Sequence, residues 1–358
     1  MLKRTHLAML AVAGTAACGG SSSRPADRQA PAPAGPVIEE QASGTRALLQ
    51  AVSPVNDRVV WVSGHGATYA RTVDGGATWQ AARVPGVDTA LQFRDVHALD
   101  ERTAWLLSSG NGAASRIYRT TDGGRTWTLQ FTNPDQRAFY DCMDFWDTRR
   151  GVAVSDAVDG KLIILVTADG GAHWSHPAAL PGASDGEGGF AASGTCLVAR
   201  PGGHAWIGTG NGLRARLLHS SDYGSTWAAD STPLPSGNAI GITSVSFRDV
   251  RNGLVFGGNV GSNDARGDVV AMTHDGGATW SLGGRPPFPG AIFGGTWIPG
   301  ARAPTAVAVG PRGSAWSRDG GVTWTGLDTL AYWAVGFSSP RAGWAVGPRG
   351  RIVKLSGF

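Results

Sequence analysis

Residues 72–79 read TVDGGATW, and the pattern Ser/Thr-x-Asp-x-Gly-x-x-Trp occurs six times along the 358-residue chain. The six copies end at Trp79, Trp127, Trp174, Trp227, Trp280 and Trp324. Their aspartates, separated by 44 to 53 residues, are Asp74, Asp122, Asp169, Asp222, Asp275 and Asp319. A repeat of this length is typical of a propeller or a solenoid.

Each fixed position of this eight-residue repeat has a mechanical role in a tight turn. The side chains of Asp and Ser/Thr hydrogen-bond the backbone of a turn, and Gly permits a positive φ where the chain reverses. Trp begins the next strand and is large enough to pack between neighbouring sheets. We therefore interpret the repeat as a structural turn with an aromatic anchor, and not as a metal site.

The segments around each repeat predict four short antiparallel strands. Two apolar segments joined by a turn precede each repeat, as in VSFRDVRNGLVFGG at residues 245–258. Four-stranded sheets repeated radially form a propeller. Residues 36–358, divided by about 46 residues per blade, give seven blades. The last unit, 332–358, lacks the repeat, and we expect residues 37–42 to supply its fourth strand. The predicted fold is an all-β, seven-bladed propeller closed by the N- and C-terminal strands.

The N-terminus resembles a bacterial lipoprotein signal, with Lys3 and Arg4, an apolar segment at 7–17, and then Cys18. It departs from that pattern because Thr15 stands where Leu is usual, so plain secretion is the alternative. The predicted divisions are a signal peptide at 1–17, a flexible tether at 18–35 after a lipidated Cys18, and the propeller at 36–358. The expected location is a membrane surface facing the periplasm or the cell exterior.

Composition narrows the classes of partner. The formal charge of +4 includes Lys3 and Arg4, so the mature chain would carry only about +2, and no basic nucleic-acid surface is expected. We expect membrane contact through the lipid alone, and a monomer. Beside Cys18, only Cys142 and Cys196 remain. They lie about one repeat apart but one position out of register, which favours two buried thiols over a disulfide.

The repeats and the predicted strand segments resemble those of a known group of proteins. The six repeats, together with segments such as GWAVGPRGRIVKL at 343–355, resemble the photosystem II stability/assembly factor-like proteins, which are grouped with BNR/sialidase-like Asp-box propellers. The resemblance implies a binding or assembly factor for a protein or glycan partner, because relatives in photosynthetic organisms are assembly chaperones. The same eight-residue repeat, known as the Asp box, occurs in sialidases, xyloglucan hydrolases and sortilin-type receptors. The repeat is therefore a weak guide to function.

Two enzyme classes remain as alternatives. A sialidase would need an arginine cluster and a Tyr nucleophile, and the chain has five tyrosines and no Arg-Ile-Pro signature. A xyloglucanase would need two carboxylates, for which Asp141 and Glu187 are the candidates. Bacterial relatives carry an oxidoreductase label, but the chain has no CxxC or CxxCH motif and no dinucleotide-binding loop. The eight histidines are scattered, and we expect no metal and no cofactor.

We predict a binding site on the face opposite the six repeats, where the links between blades and the second-to-third strand loops lie. The loops of blades three to five are predicted to be the longest and most polar. The candidate side chains are Asp135, Arg137, Tyr140, Asp141, Asp156, Asp159, Lys161, Asp185, Glu187, Asn211, Arg214, Asn259, Asn263 and Asp264. Because acidic residues outnumber basic ones, a cationic, hydroxylated or metal-bridged partner fits better than a phosphate.

Overall fold

The computed structural model describes residues 35–358, which form an all-β propeller of seven blades. The predicted signal peptide, Cys18 and nearly all of the predicted tether lie outside the described residues. Helical structure in residues 35–358 is limited to two single 3-10 turns, Gly112–Ala114 and Pro348–Gly350. No helix in this part of the chain has the length and apolar character to cross a membrane.

The strands follow the chain blade by blade, and neighbouring strands in each blade are antiparallel. Blades 1 and 2 contain β2 (Leu49–Pro54), β3 (Val60–Gly64), β4 (Thr68–Thr72), β5 (Gln80–Arg83), β6 (Phe93–Ala98), β7 (Ala104–Ser108), β8 (Arg116–Thr120) and β9 (Thr128–Thr132). Blades 3 and 4 contain β10 (Tyr140–Phe145), β11 (Gly151–Val158), β12 (Lys161–Thr167), β13 (Leu197–Arg200), β14 (His204–Gly208), β15 (Arg216–Ser220) and β16 (Ala228–Ser231). Blades 5 and 6 contain β17 (Ile240–Phe247), β18 (Gly253–Asn259), β19 (Val270–Thr273), β20 (Ser281–Leu282), β21 (Gly294–Trp297), β22 (Ala306–Gly310), β23 (Gly313–Ser317) and β24 (Thr325–Asp328). Blade 7 contains β25 (Ala334–Ser339), β26 (Ala342–Val346), β27 (Ile352–Ser356) and β1 (Val37–Gln41).

Closure of the ring is as predicted from the missing fourth strand of the last unit. β1 pairs with β27, with Val37 opposite Ser356 and Gln41 opposite Ile352. Gln41 Oε1 accepts hydrogen bonds from Trp79 Nε1 of blade 1 (3.0 Å) and from Trp344 Nε1 of blade 7 (3.2 Å). The N-terminal strand therefore covers an open sheet edge and also joins the first blade to the last.

Blade 3 departs from the four-stranded pattern. Its sheet has three strands, and the fourth is reduced to two isolated bridges, between Val166 and Ser175 and between Lys161 and Gly182. The following segment contains Pro177 and Pro181, and a proline cannot donate to a strand ladder. This segment still covers part of the open edge of β12, because Pro181 O accepts a hydrogen bond from Leu162 N (3.0 Å).

The six repeats form the turns between third and fourth strands. In the second copy, Thr120 Oγ1 donates to Asp122 Oδ1 (2.9 Å) and accepts from Gly124 N (2.9 Å). Asp122 also accepts hydrogen bonds from Thr126 Oγ1 (2.6 Å) and Thr126 N (3.0 Å), and these bonds lower its pKa to about 2. The other five copies have the same bonds, with His173 in place of Thr in the third. All six turns lie at one end of the ring, called here the turn face; the opposite end is the loop face.

Tryptophans pack between adjacent blades. The repeat Trp127 contacts Trp61 and Tyr69 of the preceding blade, with ring centroids 6.2 and 5.2 Å away, but it stays half-buried. The fully buried tryptophans are a second set on the second strands, which the sequence analysis did not single out: Trp61, Trp105, Trp206 and Trp344. Trp105 Nε1 donates to Gly170 O in the repeat of the next blade (3.1 Å), so this second set ties blades together.

The innermost strands are joined around the axis by side chains that accept a backbone N–H of the next blade. Asp95 Oδ2 accepts from Met143 N (2.7 Å), and Asp144 Oδ2 accepts from Ala199 N (2.7 Å). Ser53 and Ser246 make the corresponding bonds to Ala98 N (3.0 Å) and Trp297 N (3.1 Å). These contacts make the ring a rigid support for the loops of both faces.

Cys142 and Cys196 form a disulfide, so the expectation of two unpaired thiols is wrong. The bond joins the inner part of blade 3 to blade 4 with a Cα–Cα distance of 6.0 Å. The physical reason is a β-bulge in β10, where the register shifts between Tyr140 and Cys142. One extra residue in a strand reverses the side to which the following side chains point. The bulge therefore removes the mismatch that the sequence alignment of blades suggested.

Candidate functional site

The loop face carries the second-to-third strand loops, and their lengths differ from the prediction. In blade 3 this loop is only the pair Asp159 and Gly160, because β11 and β12 are long. The longest one is 260–269 of blade 5, while the extra length of blade 3 lies in its link to blade 4. The expectation of the longest loops therefore holds for blade 5 and is wrong for blade 3, while the loop 209–215 of blade 4 is only as long as the loop 109–115 of blade 2.

Three of the candidate binding residues are buried and do not form an exposed site. Tyr140, Asp141 and Glu187 expose only 2%, 2% and 1% of their surface. Glu187 Oε1 accepts hydrogen bonds from Arg216 Nε (2.7 Å) and Thr209 Oγ1 (2.8 Å). Burial alone would raise the pKa of Glu187, but these bonds and one from Ser184 N hold it below its usual value. Glu187 therefore fastens the link before blade 4 to that blade.

Asp141, which is buried, and Asp156, which is half-buried, form a pair of carboxyl groups at the inner end of blade 3. Burial, and then the charge of Asp156, raise the pKa of Asp141 well above its usual range, while Arg94 acts in the opposite direction. Burial also raises the pKa of Asp156 to about 6. Adjacent carboxyl groups in a dry environment retain a proton because two negative charges repel. The pair is a pH-sensitive part of the scaffold, not a surface ligand site.

The remaining candidates form separate local groups. Arg137 pairs with Asp135 (2.9 Å) and Asp159 (2.8 Å), and these two carboxylates raise its pKa. Asn211 Oδ1 accepts a hydrogen bond from Ala239 N (2.9 Å), and Asn259 Oδ1 accepts one from Gly261 N (2.9 Å). Exposed residues of the same face are Lys161, Asp185, Arg214, Asn263 and Asp264. Several of the predicted polar residues thus hold loop conformations in place.

Backbone strain is concentrated on the loop face. Six non-glycine residues of the described chain have a positive φ, and only Tyr223 belongs to a repeat turn. The other five lie in loops or links of the loop face: Ala67, Asp159, Asn211, Ala239 and Arg349. Left-handed backbone is costly for residues other than glycine and persists where the surroundings enforce it, often at functional sites. This distribution marks the loop face as the more specialised of the two.

The sequence analysis did not predict two concave surfaces on this face, although the candidate Asn259 lines one of them. A cleft of about 610 Å³ lies where β1 leaves blade 7, between residues 40–46 and 348–351. A groove of about 510 Å³ lies between the link that precedes blade 5 and the 260–269 loop, with Pro233, Pro235, Ile240 and Val269 among its lining residues. The proline-rich link beside the longest predicted loop was the available signal for the groove. Both volumes are in the range of ligand pockets.

The side chains offer no assembled catalytic centre in the part of the chain that the structure describes. Asp141 and Glu187, the proposed xyloglucanase pair, are both buried, and Glu187 is held by Arg216. Within residues 35–358 no three His, Cys, Asp or Glu side chains are grouped to hold a metal ion. No feature of this geometry favours a hydrolase or an oxidoreductase over a binding protein.

Solved structures of other proteins are similar to this chain in fold. No protein family model matches the chain, and no curated protein sequence matches it. A structure of YCF48 bound to a D1 peptide is similar with a TM-score of 0.62 and 17% identity over 90% of this chain and 97% of that one. YCF48 from Cyanidioschyzon merolae has a TM-score of 0.63 and 15% identity over 89% and 98% of the two chains. An ancestral GH74 enzyme has a TM-score of 0.64 and 11% identity over 87% of this chain and 45% of its own.

Proposed function

We propose that this chain is an exported propeller that binds a protein partner through its loop face. The observation that carries the proposal is the concentration of strained loops on that face, which also holds the two concave surfaces of about 610 and 510 Å³. The turn face carries six nearly identical turns whose polar groups bond to one another, beside the first-to-second strand loops. Specific recognition needs side chains that differ from blade to blade, and the loops and links of the loop face offer them.

The comparisons support a protein ligand without establishing one. YCF48 has a structure of the same fold bound to a D1 peptide. The eight-residue repeats and the last blade also resemble the photosystem II stability/assembly factor-like group. We extend from these similarities the general role of holding another protein during its assembly or maintenance.

The proposed location follows from the N-terminal signal and fits the direction in which the chain enters the ring. β27 begins at the loop face and ends at the turn face, and Val37 pairs with Ser356 at the end of that strand. The chain therefore enters the propeller at the turn face. A lipid on Cys18, followed by the predicted tether, would attach the protein to a membrane. The disulfide agrees with an oxidising compartment.

Capture of partners from native envelopes tests the face that we propose. Leu213 on the loop face is 89% exposed, so Leu213→Asp changes the surface without disturbing the core. Val322 lies in the last repeat on the turn face and is 52% exposed, which makes Val322→Asp a matched control. We expect Leu213→Asp to lose the recurrent partner and Val322→Asp to keep it, with equal melting temperatures. The reverse result, or turnover of a glycan panel in place of capture, would contradict the proposal.

A further inference from the structure

The groove beside blade 5 has walls of unusual chemistry for a polar loop face. One wall is the link with Pro233, Pro235 and Ile240, and the other is the segment from Ala265 to Val269. Pro233 and Pro235 have no backbone N–H, so that wall presents apolar rings and carbonyl groups without donors at these positions. The opposite wall contains Gly267, where an added Cβ would meet no atom within 4 Å. The groove is therefore open and mainly apolar, and its polar lining residues are Asn259, Arg266 and Asp268.

These walls favour a peptide over a sugar. Carbohydrate sites usually stack sugar rings on aromatic side chains, and no aromatic residue lines the groove. Apolar pockets with a few polar groups suit the side chain of an extended peptide, whose backbone lies along the rim. Ala239, at the end of the proline-containing link, has a φ of 59°, which fixes the direction of that wall.

The charges at the rim are unequal. Asp268 pairs with Arg285 (2.9 Å), and Asp264 pairs with Arg312 (3.0 Å), so these nearby carboxylates are already neutralised. Arg266 lines the groove, is exposed, and has no carboxylate at ion-pair distance among residues 35–358. An uncompensated guanidinium beside an apolar groove attracts a carboxylate of the ligand.

We propose that this groove binds an extended peptide segment of the partner through an apolar side chain, with an adjacent Asp or Glu held by Arg266. The inference rests on the proposed function, because it names the chemistry that the loop face recognises. It also revises the expectation from the candidate loop residues, whose excess of acidic side chains favoured a cationic, hydroxylated or metal-bridged partner. At this groove the acidic side chains are paired and the free charge is positive.

Gly267→Trp tests the groove directly. Gly267 has no positive φ of the kind that L residues avoid, and the added side chain enters open space, so we expect the fold to be kept. Gly182 on the link before blade 4 has the same two properties and does not line the groove, which makes Gly182→Trp the matched control. The probe is a phage-displayed library of random nine-residue peptides, selected on the full-length protein.

We expect the selected peptides to combine apolar residues with Asp or Glu and to bind Gly267→Trp at least about tenfold more weakly than Gly182→Trp. Arg266→Glu should weaken them as well, and added salt should reduce their affinity for the parent protein. The proposal that the groove binds a peptide would be overturned by any of three results: no peptide is selected, the selected peptides are basic, or they bind both tryptophan variants equally. Should Leu213→Asp lose the native partner while Gly267→Trp keeps it, the groove is wrong and the proposed function stands.

Discussion

Replacement of Asp156 by Asn should make the protein more stable at neutral and alkaline pH. Burial raises the pKa of Asp156 to about 6, whereas an unfolded Asp titrates near 3.9. The folded state therefore binds the proton more tightly than the unfolded state. The free energy of unfolding consequently falls as the pH rises from about 4 to above 6, because the folded protein must then hold a buried charge.

The size of the effect follows from the pKa difference. A difference of about 2 pKa units corresponds to about 3 kcal/mol of destabilisation in the parent protein above pH 6. Asn resembles the protonated carboxyl group in shape and does not titrate. The variant should equal the parent near pH 4 and exceed it at pH 8 by up to about 3 kcal/mol. Removal of the Asp156 charge should also let the pKa of Asp141 fall, since that charge helps to raise it.

Urea unfolding followed by tryptophan fluorescence between pH 4 and 8 measures this difference. The control is Asp159→Asn, the same substitution three residues away, at a side chain that is 75% exposed. Burial lowers the pKa values of His65 and His219, and both residues are present in parent and variant, so their contribution to the pH dependence cancels. Parallel curves for parent and Asp156→Asn, or a variant less stable at pH 8, would refute the carboxyl-pair interpretation.

Three further predictions concern the scaffold and the anchor. Trp105→Ala should lower the free energy of unfolding by roughly 3–5 kcal/mol, because Trp105 is fully buried. Trp127→Ala should lower it by less, because Trp127 is half-buried. Thermal melts of both variants measure the difference, and equal midpoints would contradict it. Replacing Cys142 and Cys196 together by Ala should lower the free energy of unfolding by about 2–4 kcal/mol, which denaturation with and without reductant measures, and the variant should no longer respond to reductant. Cys18→Ser should move the protein from the membrane to the soluble fraction on cell fractionation, and membrane retention equal to wild type would exclude the lipid anchor.

The fold could be predicted from the sequence because short sequence patterns specify its turns. Each repeat specifies one turn by short-range hydrogen bonds, such as those between Thr120, Asp122 and Thr126. Six such turns at a regular spacing define the blades, and counting the strands of the last unit predicted that β1 would close the ring. These inferences succeed because they depend on neighbours in the chain and on the need to cover a sheet edge.

The predicted site was less successful because exposure is a tertiary property. Asp141 and Glu187 look like solvated loop residues in the sequence, yet both are buried. Asp141 occupies the bulge position of β10, and the sequence showed the inserted residue only as a mismatch of one position between blades. Glu187 finds Arg216 only because the link folds back on blade 4. The groove at Pro233 likewise needs two segments that are distant in the chain.

The sequence by itself determined the blade count, the turn chemistry and the closure by both termini, because each follows from short-range bonding repeated at a fixed interval. The tertiary structure decided which residues are accessible. It placed Cys142 against Cys196, brought the carboxyl groups of Asp141 and Asp156 together, and left Arg266 as an unpaired charge beside a mainly apolar groove. Burial and charge pairing depend on atoms that the fold brings together from separate blades. The distances between those atoms cannot be predicted from residues that are neighbours in the sequence.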